Sequence, residues 1–600
     1  MTSKKPSEKS ANSKSYKLDP VAFSHQMTEL FDRLAPLVKE YQDKKPVPES
    51  APDPLNIQPA FMKLYENALQ NPQGLLDLQI EYMQNLYHLW QETSKKFLGE
   101  QSEEVIKPDI GDKRFKDPLW NENAGFDFIK QSYLLTSQML KKYVHSSEGL
   151  DKKEKAKLDF YTRQFVDSMA PTNFALTNPV VLKETLDSKG QNLMKGFENL
   201  IADLERGNGE LQIKKTNYDA FEVGKNLAIT AGKVVYQNDL MQLIQYTPST
   251  EEVFETPLLI VPPWINKYYI LDMRPDNSFI KWAVDQGHTV FVVSWVNPGQ
   301  KLAKKNFYSY IEEGILSALT EIEKITDQNK TNVVGYCIGG TLLASALGYM
   351  AKKDNQERIA SATFLTTLID FSDAGDLAVF IDDEQLDALD KKMLEKGYLE
   401  GAELRNTFSL LRANDLIWSY VVNNYMLGKE PFQFDLLYWN DDSTNMPAAM
   451  HSFYLRKMYR ENLLCRPDAM TLNDTPIDLR KVNVPSYFLS TKEDHIAPWK
   501  STFEGMRSLG GDKTFTLSAS GHVAGVVNPP AAQKYQYWTS HIDNKDKPDD
   551  WLERASLSDG SWWPHWAKWL EQFSDKKIKA RTPQNAIEDA PGSYVRMKAS

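Results

Sequence analysis

Gly335, Cys337 and Gly339 form a Gly-x-Cys-x-Gly pentapeptide within Val333-Val334-Gly335-Tyr336-Cys337-Ile338-Gly339-Gly340. With 29 Gly and 2 Cys in 600 residues, chance supplies about 0.005 such pentapeptides. The apolar run at 332–334 reads as a buried strand, and 341–350 reads as a helix. A strand-to-helix turn this sharp strains the residue between the glycines, and a Cβ on either glycine would strike a neighbouring strand or helix. The thiol is then exposed at the carboxyl edge of a sheet, beside a helix N-terminus whose field favours a thiolate. This is a nucleophile elbow with Cys in place of Ser. The plainer alternative is a buried structural Cys beside a Gly-rich turn; the flanking strand and helix weigh against it.

A cysteine nucleophile needs a base, and the base needs a group that orients it. Tyr487-Phe488-Leu489-Ser490 reads as a strand, with Asp494 in the loop at its end. Thr514-Phe515-Thr516-Leu517 reads as the next strand, with Gly521-His522 in its loop. Asp494 follows Cys337 by 157 residues and His522 follows Asp494 by 28. The second interval fits one helix between two strands. His495 competes as base, but it directly follows the acid, whereas His522 follows the last strand of the series. Asp494 as a simple turn residue is the plainer reading of that position. In the chemical reading His522 takes the thiol proton, Asp494 fixes its tautomer, and the thiolate attacks a carbonyl. The backbone N–H of Ile338 supplies one oxyanion donor. The second is expected after the 257–261 strand, near Trp264 or Ile265, and each donor is worth ~3 kcal/mol. Cys465 has no elbow around it and reads as structural.

The choice of Cys points to a substrate. A thioester that exchanges with Cys keeps its acyl group activated, and transfer from there to a hydroxyl runs downhill to an oxoester. Cys therefore suits acyl transfer from thioesters, provided water is kept out.

Elements must position these groups. Residues 1–18 read as a disordered tail. Residues 19–220 read as a helical N-terminal domain. Phe23, Met27, Leu30, Phe31 and Leu34 keep helix spacing, and Pro46, Pro48, Pro52 and Pro54 mark a linker. Phe61, Leu64, Tyr65 and Leu69, then Leu76, Ile80, Met83, Tyr87 and Trp90, form apolar faces. Those faces pack on other elements or carry a partner or surface-attachment site. Asn178-Pro179 reads as a helix start. Residues 221–575 read as the catalytic domain. A hairpin over 234–246 leads to strands at 257–261, 289–295, 332–336 and 362–369, alternating with helices at 277–285 and 307–325. Such alternation predicts an α/β class with a mostly parallel sheet. About 371–462 the rhythm breaks into an aromatic insertion, read as a cap over the carboxyl edge. Residues 576–600 read as a polar, poorly ordered tail. Nucleophile, acid and histidine in that chain order are the signature of an α/β-hydrolase core.

Composition narrows the setting. A net charge of −11 argues against general nucleic-acid binding. Two cysteines exclude a disulfide framework and suggest a reduced compartment. There is no apolar start and no run of ~18 apolar residues to span a bilayer, so a cytoplasmic protein is expected. No cofactor or metal set stands out. Trp538, Trp551, Trp562, Trp563, Trp566 and Trp569 cluster late; a bulky core explains them better than a binding stripe.

Longer segments carry a resemblance. They are Pro262-Pro263-Trp264-Ile265-Asn266-Lys267-Tyr268-Tyr269-Ile270-Leu271-Asp272, the Gly335 to Gly340 elbow, Gly428-Lys429-Glu430-Pro431, Asp494-His495-Ile496-Ala497-Pro498-Trp499, Ser520-Gly521-His522-Val523-Ala524-Gly525 and Gly560-Ser561-Trp562-Trp563. In these the chain resembles the class I polyhydroxyalkanoate synthases over most of residues 220–570. Asp117-Pro118-Leu119-Trp120 resembles that family's N-terminal domain more loosely. The resemblance implies a polymerase of (R)-3-hydroxyacyl-CoA thioesters that releases CoA and makes an intracellular polyester. Short monomers such as 3-hydroxybutyryl-CoA are favoured, and CoA is part of a substrate rather than a cofactor. Cys337 would hold the acyl chain and His522 would be the base. Asp494 would orient His522 or help activate the incoming 3-hydroxyl. The resemblance also implies a homodimer attached to polymer granules, with the N-terminal domain contributing to both. The rivals are a thioesterase or esterase of the same fold and a non-catalytic granule-associated protein.

Overall fold

The computed structural model describes residues 28–30, 32–37, 56–543, 545–574 and 576–599. The expected tail at 1–18, the helical positions Phe23, Met27 and Phe31, and the linker prolines lie outside the described residues.

The front of the chain is helical, and local signals set its breaks. Helix α1 (Gln58–Gln70) ends at Asn71, which caps α2 (Pro72–Phe97) by accepting from the Gly74 N–H, with Pro72 opening the helix. Helix α3 (Ala124–Ser146) starts from Asn123, whose side chain accepts from the N–H groups of Gly125 and Phe126. A capping box of Asp151 and Glu154 opens α4 (Lys152–Ser168). Asn178 caps the helix Pro179–Asp187, as its sequence predicts. Leu89 and Leu158 are sealed inside this layer, but the Leu76, Ile80, Met83, Tyr87 and Trp90 side of α2 stays exposed.

Among the described residues, eleven strands form the main sheet. In chain order they are β1 (Gly232–Gln237), β2 (Met241–Tyr246), β3 (Leu258–Val261), β4 (Val290–Trp295), β5 (Thr331–Tyr336), β6 (Ile359–Leu365), β7 (Ser486–Thr491), β8 (Lys513–Ser518), β9 (Gln536–Thr539), β10 (Ser556–Asp559) and β11 (Glu588–Asp589). Their spatial order is β10-β9-β8-β7-β6-β5-β3-β4-β2-β1-β11. The run from β8 to β4 is parallel, and both flanks are antiparallel. Strands β3, β4 and β5 are buried along their whole length, as parallel strands covered by helices on both faces must be. Strand β5 lies between β3 and β6, with Gly335 beside Val261 on one side and Phe364 on the other.

The chain between β6 and β7 leaves the sheet and forms a long insertion, the segment read above as a cap. Its elements include the helices Asp383–Lys396 and Gly401–Leu411, π-helical turns at Val421–Met426 and Leu455–Arg460, and the helix Ala448–Tyr454. The front layer grips this cap. Helix α5 (Gln191–Arg206) meets it at backbone contact, because a Cβ on Gly196 would fall 1.8 Å from the Tyr425 carbonyl oxygen. Asn192 donates to the Met426 carbonyl at 2.8 Å, and the Tyr425 hydroxyl donates to Asp203 at 2.6 Å.

Three expectations need correction. The C-terminal segment is polar but packed. Lys577–Lys579 pairs with Glu252–Phe254, β11 extends the sheet beyond β1, and Val595 is buried. These short strands carry charges at sheet edges, which makes them look like a tail in sequence. The strand read as 362–369 ends at Leu365, because Thr366 turns to φ +45° and its N–H donates to the Leu489 carbonyl. The helix read over 307–325 contains a π-helical stretch, Tyr310–Leu316, in which Gly314 makes room for the Trp295 ring. The late tryptophans do form core: Trp551, Trp562, Trp563 and Trp566 are fully buried.

Candidate active site

Strand β5 ends at Tyr336, and helix α6 (Ile338–Lys352) begins two residues later. Cys337 carries the turn at φ +53° and ψ −122°, in the left-handed region that an L side chain rarely adopts. Its N–H donates to the Leu365 carbonyl at 2.9 Å, and its carbonyl accepts from the Gly340 N–H at 2.9 Å. The glycines leave no room for a side chain. A Cβ on Gly335 would lie 2.5 Å from the Gly340 Cα, and one on Gly339 would lie 2.2 Å from the Val261 carbonyl oxygen. Gly340 is equally confined, with a Cβ position 2.0 Å from the Thr367 hydroxyl. The pentapeptide pattern does not call for that third glycine; the contact with Thr367 does. Cys337 is partly exposed, while almost all of α6 is buried.

His522 and Asp494 reach the elbow from loops after β8 and β7. The His522 Nδ1 is 2.6 Å from Asp494 Oδ2. The other carboxylate oxygen accepts from the N–H groups of Ile496 and Ala497, both at 2.9 Å, so the aspartate cannot swing away. Asp494 is therefore more than a turn residue. Burial opposes a charged His522, but the Asp494 charge and hydrogen bond and the adjacent Cys337 sulfur outweigh it, and the pKa rises well above 6.5. His495 does not take this place: burial lowers its pKa, and its carbonyl anchors the Asp376 N–H. Tyr336 supports His522, with its ring stacked at 5.8 Å and its hydroxyl donating to the His522 carbonyl. Two tryptophans unforeseen in this role pin the same loop. The indole N–H of Trp562 donates to the Gly525 carbonyl at 3.0 Å, and that of Trp563 to the Val526 carbonyl at 2.9 Å.

The loop after β3 lies against the first turn of α6, as the Gly339 contact with Val261 and Pro262 shows. The Thr444 hydroxyl, from the cap, donates to the carbonyls of Trp264 and Ile265. Lys267 and Asp442 form a buried pair at 3.0 Å, and Lys267 also donates to the Met597 carbonyl. The cap and the C-terminal segment thus hold the stretch that contains Trp264 and Ile265. Cys465 lies beside Asn462, and burial raises its thiol pKa.

A parallel sheet crossed by an elbow at β5, with a histidine and an aspartate in the loops after β8 and β7, defines an α/β-hydrolase fold. A family model for that fold matches residues 257–529, and one described as "Poly-beta-hydroxybutyrate polymerase (PhaC) N-terminus" matches residues 111–283. The poly(3-hydroxyalkanoate) polymerase subunit PhaC of Rhizobium meliloti is 49% identical over 540 residues, covering 90% of this chain and 88% of its own length. The poly(3-hydroxyalkanoate) polymerase of Methylorubrum extorquens is 48% identical, with 90% and 89% covered. The Cupriavidus necator polymerase subunit PhaC is 41% identical, with 88% and 89% covered. The chain belongs to the poly(3-hydroxyalkanoate) polymerase family.

The raised His522 pKa has a signed consequence. Its protonation stabilises the fold fully below the unfolded value of about 6.5, and this contribution is lost as pH rises through the higher folded value. Asp494→Asn removes the charge that opposes burial. The substitution is expected to cost ~1–3 kcal/mol at pH 5.5 and clearly less at pH 9.5, read by urea unfolding. Equal losses at both pH values would contradict the assigned pairing.

Proposed function

We propose that this chain polymerises (R)-3-hydroxyacyl-CoA thioesters, with short acyl groups such as 3-hydroxybutyryl, through a covalent thioester on Cys337. The observation that carries this reading is a partly exposed cysteine on a strained elbow beside a buried His522–Asp494 pair. Family membership supplies the substrate class, since the relatives are named poly(3-hydroxyalkanoate) polymerases.

The thiol proton passes to His522, and the thiolate attacks the thioester carbonyl. The Ile338 N–H, at the open start of α6, stabilises the oxyanion, joined by an N–H from Trp264 or Ile265. The CoA sulfur departs and takes the proton from His522. A 3-hydroxyl then gives its proton to His522 and attacks the Cys337 thioester. An ester bond forms, and the cysteine sulfur leaves. Asp494 keeps Nδ1 of His522 as the donor, so that Nε2 faces the exchanging protons. The cap supports transfer to a hydroxyl over hydrolysis by limiting access of water.

The exposed apolar side of α2 supports attachment to the polyester. Leu76, Ile80, Met83, Tyr87 and Trp90 are each 49% to 62% exposed, in one stripe at helix spacing. Such a stripe on a surface marks contact with an apolar partner. The family resemblance also favours a homodimer. Among the described residues no helix is long and apolar enough to cross a membrane.

Purified protein with (R)-3-hydroxybutyryl-CoA is expected to release CoA and deposit insoluble polyester, and Cys337→Ala to lose both by at least ~1000-fold. CoA release with only soluble hydroxy acid would identify a thioesterase instead. Ile80→Glu combined with Tyr87→Glu is expected to leave early CoA release within about twofold while moving the protein from the polymer pellet to the supernatant. Undiminished sedimentation with polymer would rule out the α2 stripe as the attachment surface.

A further inference from the structure

The end of helix α5, the insertion and the last residues of the chain enclose a cavity of about 480 Å³ that no step of the mechanism above uses. That volume falls within the ~300–1,000 Å³ of small-molecule sites. Arg206 closes α5, Arg405 lies on the helix Gly401–Leu411, Asp441 and Asp442 follow later in the insertion, and Lys598 belongs to the C-terminal segment.

The buried side of the cavity is acidic, and each acid is neutralised from behind. The side chains of Asp441 and Asp442 are 8% and 3% exposed. Buried Lys215 lies 3.6 Å from Asp441, and buried Lys267 lies 3.0 Å from Asp442. The hydroxyls of Tyr218 and Tyr269 donate to the same two carboxylates. The remaining cations are then in excess. Lys598 reaches an Asp442 oxygen that Lys267 already holds. Arg405 donates to the Asp441 carbonyl at 3.2 Å and, among the described residues, pairs with no carboxylate. Arg206 pairs with Asp203 at 2.8 Å. Glu210 lies on the exposed rim. The rings of Tyr218 and Tyr438 also line the cavity, 6.4 Å apart at 52°.

Three kinds of recognition therefore share one cavity. An arginine fork matches phosphate oxygens. A carboxylate accepts from the hydroxyls of a ribose. A tyrosine ring takes the face of a base. A bare anion would meet Asp441 and Asp442 with nothing to donate to them, and a sugar without phosphate would leave Arg405 unanswered.

We propose that this cavity binds a phosphorylated nucleoside, with its phosphate on Arg405 and Lys598, its hydroxyls on Asp441 and Asp442, and its base against Tyr218 and Tyr438. The site is joined to the stretch beside the elbow. Ser443 lines it, and the next residue, Thr444, donates to the carbonyls of Trp264 and Ile265. Two sources supply that chemistry: the nucleotide end of CoA, or a free nucleotide. The first source rests on the acyl-transfer reading above; the binding itself does not.

Equilibrium dialysis of the full-length protein with adenosine 3′,5′-bisphosphate, the nucleotide end of CoA, and with ADP measures the site directly. Arg405→Gln and Lys598→Gln are each expected to weaken nucleotide binding at least about tenfold, the worth of one charge-assisted hydrogen bond. Lys598 is 59% exposed, so its substitution leaves the fold in place, which a urea unfolding curve checks. Bisphosphate bound more tightly than ADP, with a raised KM for (R)-3-hydroxybutyryl-CoA in both variants, assigns the site to the substrate's own nucleotide. ADP bound at least as tightly, with that KM unchanged, assigns it to a free nucleotide. Absence of binding of either nucleotide to the parent protein, or binding that survives both substitutions unchanged, overturns the proposal. A parent protein that releases no CoA from (R)-3-hydroxybutyryl-CoA defeats the acyl-transfer reading alone, because dialysis reads binding without turnover.

Discussion

Helix α6 starts so close to the ends of β3 and β6 that no side chain fits on three of its flanking positions. Gly335, Gly339 and Gly340 each face backbone or a buried threonine at distances a Cβ cannot occupy. Cys337, caught between them, takes a positive φ that its own side chain resists. The surrounding structure holds that strain in place, with β5 bonded on both sides to parallel partners and α6 buried nearly throughout. The thiol gains a fixed position at the carboxyl edge of the sheet, next to the N-terminus of a buried helix.

The other parts of the site approach this fixed point from three directions. Loops after β7 and β8 deliver Asp494 and His522, and two tryptophans at the start of the helix Trp563–Leu570 pin the His522 loop by its carbonyls. The cap delivers the Thr444 hydroxyl that steadies the stretch around Trp264. The front helices and the C-terminal segment brace the cap, through Gly196 against Tyr425 and through Lys598 against Asp442. The cap and the stretch around Trp264 therefore depend on the same contacts. In the proposed reaction, a thioester on Cys337 survives long enough to meet a hydroxyl only where water is excluded.

What was legible in the sequence follows from the range of the interactions. The elbow is local, so its pattern shows in five residues. Asp494 and His522 were legible because a parallel sheet places chemical groups in the loops at its strand ends, and the fold sets their chain order. Gly340 was visible as a residue, but its reason is Thr367, on a different element. The C-terminal strands were misread because short, charged edge strands lack the apolar alternation that marks a buried strand.

The central claim is that Cys337 carries the acyl group. Intact-protein and peptide mass spectrometry after brief exposure to (R)-3-hydroxybutyryl-CoA tests it most directly. The account predicts a mass gain of one or more 3-hydroxybutyryl units, mapped to the peptide containing Cys337 and absent from Cys337→Ala. Release of CoA with no adduct on Cys337, or an adduct confined to Cys465, would contradict it.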